Sequence, residues 1–185
     1  MNSRKFILVT GGASCGKSGF AEKMASSIHE DVTYVATAAV LDDEMERKVE
    51  RHRLMRPKHW KTVEETINLD KVLLEYGNKS EVVLIDCLTL WISNQYFNSN
   101  EYSTEVSWSE REDHILDNVK KLVEIAAKVP ATTIIVSNEV SMGLVPENPL
   151  GRAFRNSAGK ANQLAAEFAD EVYLIVAGIP LGIKA

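Results

Sequence analysis

Cysteine is scarce: Cys15 and Cys87 are the only two among 185 residues, too few to suggest a disulfide framework or an oxidising compartment. Long apolar runs are missing too. The longest nearly apolar stretch, Val172 to Ile183, contains Gly178, Pro180 and Gly182 and falls far short of the ~20 residues that a membrane-crossing helix needs. At the N-terminus, Arg4 and Lys5 precede only Phe6 to Val9 before glycines intervene, which is too short for the apolar core of a secretory signal. There is no excess of positive charge, since 21 Lys and Arg stand against 26 Asp and Glu, for a net charge of −5 without any block of one sign. Non-specific nucleic-acid binders and membrane-surface proteins both gather phosphates with a basic field, so this balance argues against both classes. Any polyanion must then be held by a local site. No linker, internal repeat or low-complexity tract breaks the chain. What remains, 45% hydrophobic and 25% charged residues, suits one soluble domain over residues 1–185, cytoplasmic by default.

Five short β-rich runs recur: Phe6 to Thr10, Val32 to Ala36, Val82 to Ile85, Thr132 to Val136 and Val172 to Val176. They are apolar almost without alternation, as in strands covered on both faces of a parallel sheet. Helical patterns lie between them. Ile115, Val119, Leu122, Val123 and Ala126 follow the 3.6 period, with Ser109 and Glu112 spaced as a capping box and Pro130 closing the segment. A further helix is predicted from about Gly151 to Ala169, with Phe154, Ala158, Ala161, Ala165 and Phe168 on one stripe. The polar stretch Asn98 to Ser107 has no apolar period and reads as a surface loop. Strands alternating with helices predict an α/β domain with a mainly parallel sheet, whose strand order is not readable.

Directly after the first strand stands Gly11-Gly12-Ala13-Ser14-Cys15-Gly16-Lys17-Ser18, the pattern G-x-x-x-x-G-K-[ST], leading into a helical stretch. Glycines let the backbone curl so that successive N–H groups face phosphate oxygens, and the following helix adds its positive N-terminal end. Lys17 is then expected to neutralise the β and γ phosphates, and the Ser18 hydroxyl to ligate Mg²⁺. Such a site also wants a carboxylate at the end of a neighbouring strand for the Mg²⁺ shell, and Asp86 after Val82 to Ile85 supplies one. A helix N-terminus favours thiolate, so the setting of Cys15 and of Cys87 beside Asp86 raises the expectation of lowered thiol pKa values. The simpler expectation for Cys15 is a small side chain in a loop read by its backbone.

Between Asp42 and Glu65 lie seven acids and seven bases, and Asp43 to Arg47 and Glu44 to Lys48 place an acid four residues before a base on an exposed helix. His52 lies seven residues after Met45 and three after Val49, on the inward face rather than the charged one. Arg51, Arg53 and Arg56 surround it in sequence, and Pro57 ends the helix. Guanidinium neighbours bias an imidazole toward its neutral, nucleophilic form, which suits attack on phosphorus.

Taken together, these segments resemble the bifunctional adenosylcobinamide kinase and adenosylcobinamide-phosphate guanylyltransferase family. The resemblance runs through Ile7 to Gly12 with the glycine loop, Tyr34-Val35-Ala36-Thr37-Ala38, Leu41 to Met45, His52-Arg53-Leu54-Met55-Arg56-Pro57-Lys58-His59-Trp60, Asp86-Cys87-Leu88-Thr89 and Ser137 to Asn148. It implies a RecA-like P-loop fold, a homotrimer, and two reactions: phosphorylation of adenosylcobinamide with ATP or GTP, then transfer of GMP from GTP to adenosylcobinamide phosphate. It also implies a GMP-histidine intermediate at the position of His52, and nucleotide contacts from Ala36, Thr37, Ala38, Arg53, Leu54, Met55, Arg56, Glu64 and Asp86. Such an intermediate divides nucleotidyl transfer into two displacements. The loop departs from the family's usual pattern, because Ser14 and Cys15 stand where Arg and Ser precede the second glycine. Asn138, Glu139, Asn148, Arg152, Arg155 and Asn162 are further polar residues placed near the late strand's end. The competing enzyme reading is another P-loop small-molecule kinase without guanylyl transfer, in which His52 would be structural. A GTP-dependent switch ranks last, because no Asn-Lys-x-Asp guanine reader follows the late strand.

Overall fold

The structure, a computed structural model, describes residues 4–39, 47, 49–50, 53–54, 56–97 and 106–184. Its strands are β1 (Phe6–Gly11), β2 (Val32–Ala36), β3 (Lys61–Glu64), β4 (Val82–Asp86), β5 (Thr132–Asn138), β6 (Glu171–Val176) and β7 (Ile179–Lys184). The helices, numbered in chain order, are α1 (Lys17–Ile28), α2 (Leu69–Tyr76), α3 (Leu88–Tyr96), α4 (Trp108–Ala126) and α5 (Pro149–Phe168). All five apolar runs are strands. They join one seven-stranded sheet in the order β3-β2-β4-β5-β1-β6-β7, parallel throughout except for the antiparallel pair β6 and β7. The mainly parallel α/β expectation is met.

Successive side chains of a strand point to opposite faces, so each buried strand supplies two cores. Phe6, Leu8, Val35, Val83, Ile85 and Ile135 meet α2 to α5 on one face, with Trp91 and Leu122 among their neighbours. Ile7, Val9, Tyr34, Leu84, Ile134 and Val136 meet Ala21 and Ala25 of α1, together with Trp60, on the other. The result is three layers, α/β/α, around a sheet whose central strands β1, β4 and β5 are almost wholly buried.

Two strands escaped the sequence reading. β3 is a polar edge strand, Lys-Thr-Val-Glu, with only Val63 half-buried, so it lacks the apolar signature used to find the others. β7 is exposed along its whole length and follows a two-residue turn in which Ala177 and Gly178 have φ of 51° and 81°. Positive φ at both central residues is the hairpin signature, and Ala-Gly in an apolar run was the clue to it. The cap of α4 also differs from expectation. Ser107 is the N-cap, its hydroxyl accepting from Glu110 N while Glu110 reaches back to Ser107 N, so the capping box lies two residues before Ser109 and Glu112. Glu112 is instead drawn across to α5, where it pairs with Lys160 and accepts from Ser157. Ser107 thus belongs to a helix start rather than to the expected loop, whose residues 98–105 lie outside the described ones.

Candidate active site

Because β1 to β6 run parallel, their C-terminal ends meet on one edge, and the register says which residues arrive together. Gly11 pairs with Asn138 and Ile175, Asp86 with Ala36 and Val136, and Ala36 with Glu64. The start of the glycine loop, Asp86, Ala36 and Glu64 therefore share the edge where open α/β sheets bind ligands. Asp86 is not on a strand adjacent to β1, as the sequence reading had it, because β5 intervenes. Strand order is a long-range property, and nothing local in Val82 to Asp86 encodes it.

The loop is shaped by specific backbone demands. Gly16 has φ 96° and forms the N-cap of α1 without a side-chain cap, and the first turn carries no acid. The free N–H groups and the positive end of the helix dipole are thus left for an anion. A Cβ on Gly11 would come within 2.6 Å of both Cys15 Sγ and Ile175 O, so only glycine fits where β1 passes β6. The β6–β7 turn braces the loop from outside, Gly178 N donating to Cys15 O at 2.8 Å. Lys17 is buried, and its ammonium donates to Gly12 O at 3.0 Å, across the loop from its own Cα. Ser18 is half-buried at the helix start, whereas Gly12, Ala13 and Ser14 are exposed.

Asp86 ends β4 half-buried, and Tyr34 Oη donates to its Oδ2 at 2.9 Å. Burial, with the Asp86 charge beside it, pushes the Tyr34 hydroxyl well above its ordinary range, so it stays a neutral donor. Arg56 is also buried, its guanidinium 3.5 Å above the Tyr34 ring, and its Nε has no hydrogen-bond partner. Thr37 is fully buried: its hydroxyl donates to Cys87 O at 2.8 Å and accepts from Cys87 N at 2.6 Å. That clasp ties the end of β2 to the start of α3, so the Thr37 side chain is committed inward while Ala38 is half-buried beside it. Glu64, Arg53 and Leu54 are exposed. His52 and Met55 lie outside the described residues, although 47, 49, 50, 53 and 54 are helical, in line with a helix before Pro57.

The lowered thiol pKa expected for Cys87 is overturned. Burial in apolar surroundings, with the Asp86 charge next, pushes it up from 9.0 to about 11. Its neighbours form a polar network at the β5 end, where Asn138 N and Nδ2 donate to Thr89 Oγ1 and Asn162 Nδ2 donates to Asn138 O. Asn148 caps α5 by accepting from Gly151 N, and Arg152 and Arg155 donate to the carbonyls of Pro146, Glu147 and Ser141. These three residues chiefly shape the loop between β5 and α5. Sequence reasoning passed over Tyr34 and Gly178. Tyr34 stood inside a quoted motif without a role, and the reach of Gly178 to the loop is purely tertiary.

Residues 7–183 match the family described as cobinamide kinase / cobinamide phosphate guanyltransferase. The chain belongs to that family. Among its relatives, the bifunctional adenosylcobalamin biosynthesis protein CobU of Escherichia coli is 42% identical over 180 residues, covering 96% of this chain and 99% of the relative. The protein of the same name from Salmonella typhimurium is 39% identical over 180 residues with the same coverage. In fold, the chain is similar to a prototypical ATPase from the type III secretion system of pathogenic bacteria, with TM-score 0.61 and 13% identity, covering 92% of this chain and 50% of that one. A member of this family is a transferase with kinase and guanyltransferase activity, and the glycine loop on a P-loop α/β fold is the part of the structure that suits both.

Proposed function

We propose that the enzyme acts in cobalamin biosynthesis, phosphorylating adenosylcobinamide with ATP or GTP and then joining GMP from GTP to the resulting phosphate. The observation that supports the reading is the shared edge, to which the register brings both the glycine loop, spanned by Lys17, and the end of β4 at Asp86. In the first reaction the substrate hydroxyl attacks the γ-phosphorus and the nucleoside diphosphate leaves, while Lys17 and the loop N–H groups steady the phosphates. In the second, neutral His52 attacks the α-phosphorus of GTP and pyrophosphate leaves. A phosphate oxygen of adenosylcobinamide phosphate then attacks the phosphoramidate and frees the imidazole. Cys15, Ser14 and Ala13 serve through their backbone, and Ala36, Thr37, Ala38, Arg53, Leu54, Met55, Arg56 and Glu64 contact the nucleotide.

Among the described residues, no three His, Cys, Asp or Glu side chains converge on a metal-sized space. The hydroxyl of Ser18 and the carboxylate of Asp86 are hard oxygen donors of the kind that suits Mg²⁺, which takes one or two protein ligands and fills its shell with phosphate oxygens and water. Ser18 and Asp86 would hold it, and it would neutralise charge developing on the phosphates. The reading further takes the protein as a cytoplasmic homo-oligomer, a trimer by resemblance. No helix among the described residues is long and apolar enough to cross a membrane. Ile179, Leu181 and Ile183 alternate along the exposed edge strand β7, an apolar row that a second copy would cover.

The test is label position. With GTP labelled at the α-phosphate, acid-labile label remains on the wild-type protein and none remains on His52→Ala, while Lys17→Ala slows both reactions about a hundredfold or more. A wild-type protein that turns over corrinoid without ever carrying the label would reduce the reading to a plain kinase.

A further inference from the structure

Tyr34 touches the two charged groups of the site that come from different parts of the chain. Its hydroxyl reaches Asp86 Oδ2 at 2.9 Å, and its ring lies under the Arg56 guanidinium at 3.5 Å. The ring is fixed: Tyr34 is 2% exposed on β2, opposite Leu84 of β4 and Thr62 of β3. Asp86 and Arg56 form no ion pair with each other, and no other side chain among the described residues donates to Asp86.

Both contacts share a property that an ion pair would lack. A carboxylate χ2 torsion is broad and roughly two-fold, so an unanchored Asp86 would not present a fixed oxygen to a ligand. A neutral phenol pins it through one oxygen and leaves its charge whole, whereas a Lys or Arg partner would cancel the charge that a cation needs. The ring likewise seats the guanidinium by its π face and uses none of its N–H donors. Nε of Arg56 is buried with no partner, which means that a donor is held ready inside the site at some cost. Arg56 lies four residues after His52, so whatever holds this guanidinium also holds the end of the histidine segment.

We propose that Tyr34 is a positioning residue for both transfers, its hydroxyl aiming Asp86 and its ring seating Arg56 for the phosphates. The inference rests on the roles given above to Asp86 and His52. Glu22 of α1 also lies within electrostatic reach of Tyr34, so three charged groups surround one neutral ring.

The experiment compares Tyr34→Phe, which keeps the ring, with Tyr34→Leu, which keeps neither feature, using Asp86→Asn as reference. Calorimetry measures the affinity for a non-hydrolysable GTP analogue with and without Mg²⁺, and mass spectrometry follows the GMP adduct on His52 at saturating Mg²⁺. In Tyr34→Phe the gain in affinity on adding Mg²⁺ falls about tenfold, as it does in Asp86→Asn, while the metal-free affinity holds. In Tyr34→Leu the adduct also forms about fivefold more slowly than in Tyr34→Phe. A merely structural tyrosine would lower the melting temperature and move neither readout. A wild-type Mg²⁺ response in Tyr34→Phe overturns the inference, and it does so alone if Asp86→Asn has lost that response. If Asp86→Asn also responds as wild type, the metal role of Asp86 falls and the hydroxyl's role falls with it. Equal adduct rates in the Phe and Leu proteins overturn the role of the ring. The Phe protein, nearly isosteric, decides the hydroxyl's part even where the Leu protein does not fold.

Discussion

On the face covered by α2 to α5, the strands present Phe6, Leu8, Val83, Ile85 and Ile135 to large partners such as Trp91, Ile92, Ile115 and Leu122. On the opposite face, among the described residues, α1 approaches through Ala21 and Ala25, and the interior includes Tyr34, Cys87 and Trp60 beside Asp86 and Arg56. The first face buries more apolar surface and so contributes more of the stability. The second is the thinner in apolar side chains, with α1 meeting it through the small residues Ala21 and Ala25, and there Tyr34 touches both Asp86 and Arg56. One sheet thus separates the larger core from the face that carries the proposed site.

The strongest way to break this contrast is Trp91→Ala on the thick face. It empties a large fully buried site and loses the bond from Nε1 to Ile67 O, so unfolding free energy should fall by about 3–5 kcal/mol. Denaturant titration measures the loss, and the folded fraction should bind GTP as the wild type does. An affinity drop comparable to the stability loss would show that the faces are not separate.

A smaller effect sharpens the contrast on the thin face. Cys87 has its pKa pushed up from 9.0 to about 11, so the native state holds this proton more tightly than the unfolded chain. Its contribution is therefore fully present below the unfolded value and is lost as pH rises through the folded one. Between pH 9 and 11 that loss is on the order of 1–3 kcal/mol. Burial raises Tyr34 and Tyr96 in the same direction, so the wild-type slope has more than one source. Midpoints measured across this range should fall more gently in Cys87→Ala; an unchanged slope would remove Cys87 from the account.

The smallest effect belongs to the helix start on the thick face. Ser107→Ala removes the cap of α4 and should cost about 1 kcal/mol with no change in nucleotide affinity. A change in affinity would tie the thick face to the site after all.

How far the sequence could be read depended on how local each feature is. Strands β1, β2, β4 and β5 announced themselves because burial on both faces demands unbroken apolar runs, and the half-buried β6 is apolar enough to have been found with them. β3 did not, because an exposed edge strand needs no apolar residues, and the cap of α4 was misplaced because Ser109 and Glu112 satisfy the same spacing as Ser107 and Glu110. The glycine loop was legible because its chemistry is written in eight consecutive residues. The thiol of Cys87 was misjudged because its neighbour in sequence, Asp86, says nothing of the burial that dominates its titration.

By itself the amino-acid order determined the phosphate cradle, the parallel α/β class and the family, since each rests on contiguous residues whose backbone or apolar demands are met within a few positions. Only the tertiary structure decided that β5 would lie between the cradle and Asp86, that Gly178 would brace the loop, and that one tyrosine would touch both Asp86 and Arg56. Those contacts join residues 22 or more positions apart in sequence, from Tyr34 to Arg56 upward, and they exist because the sheet's pairing and twist carry distant strand ends to one edge.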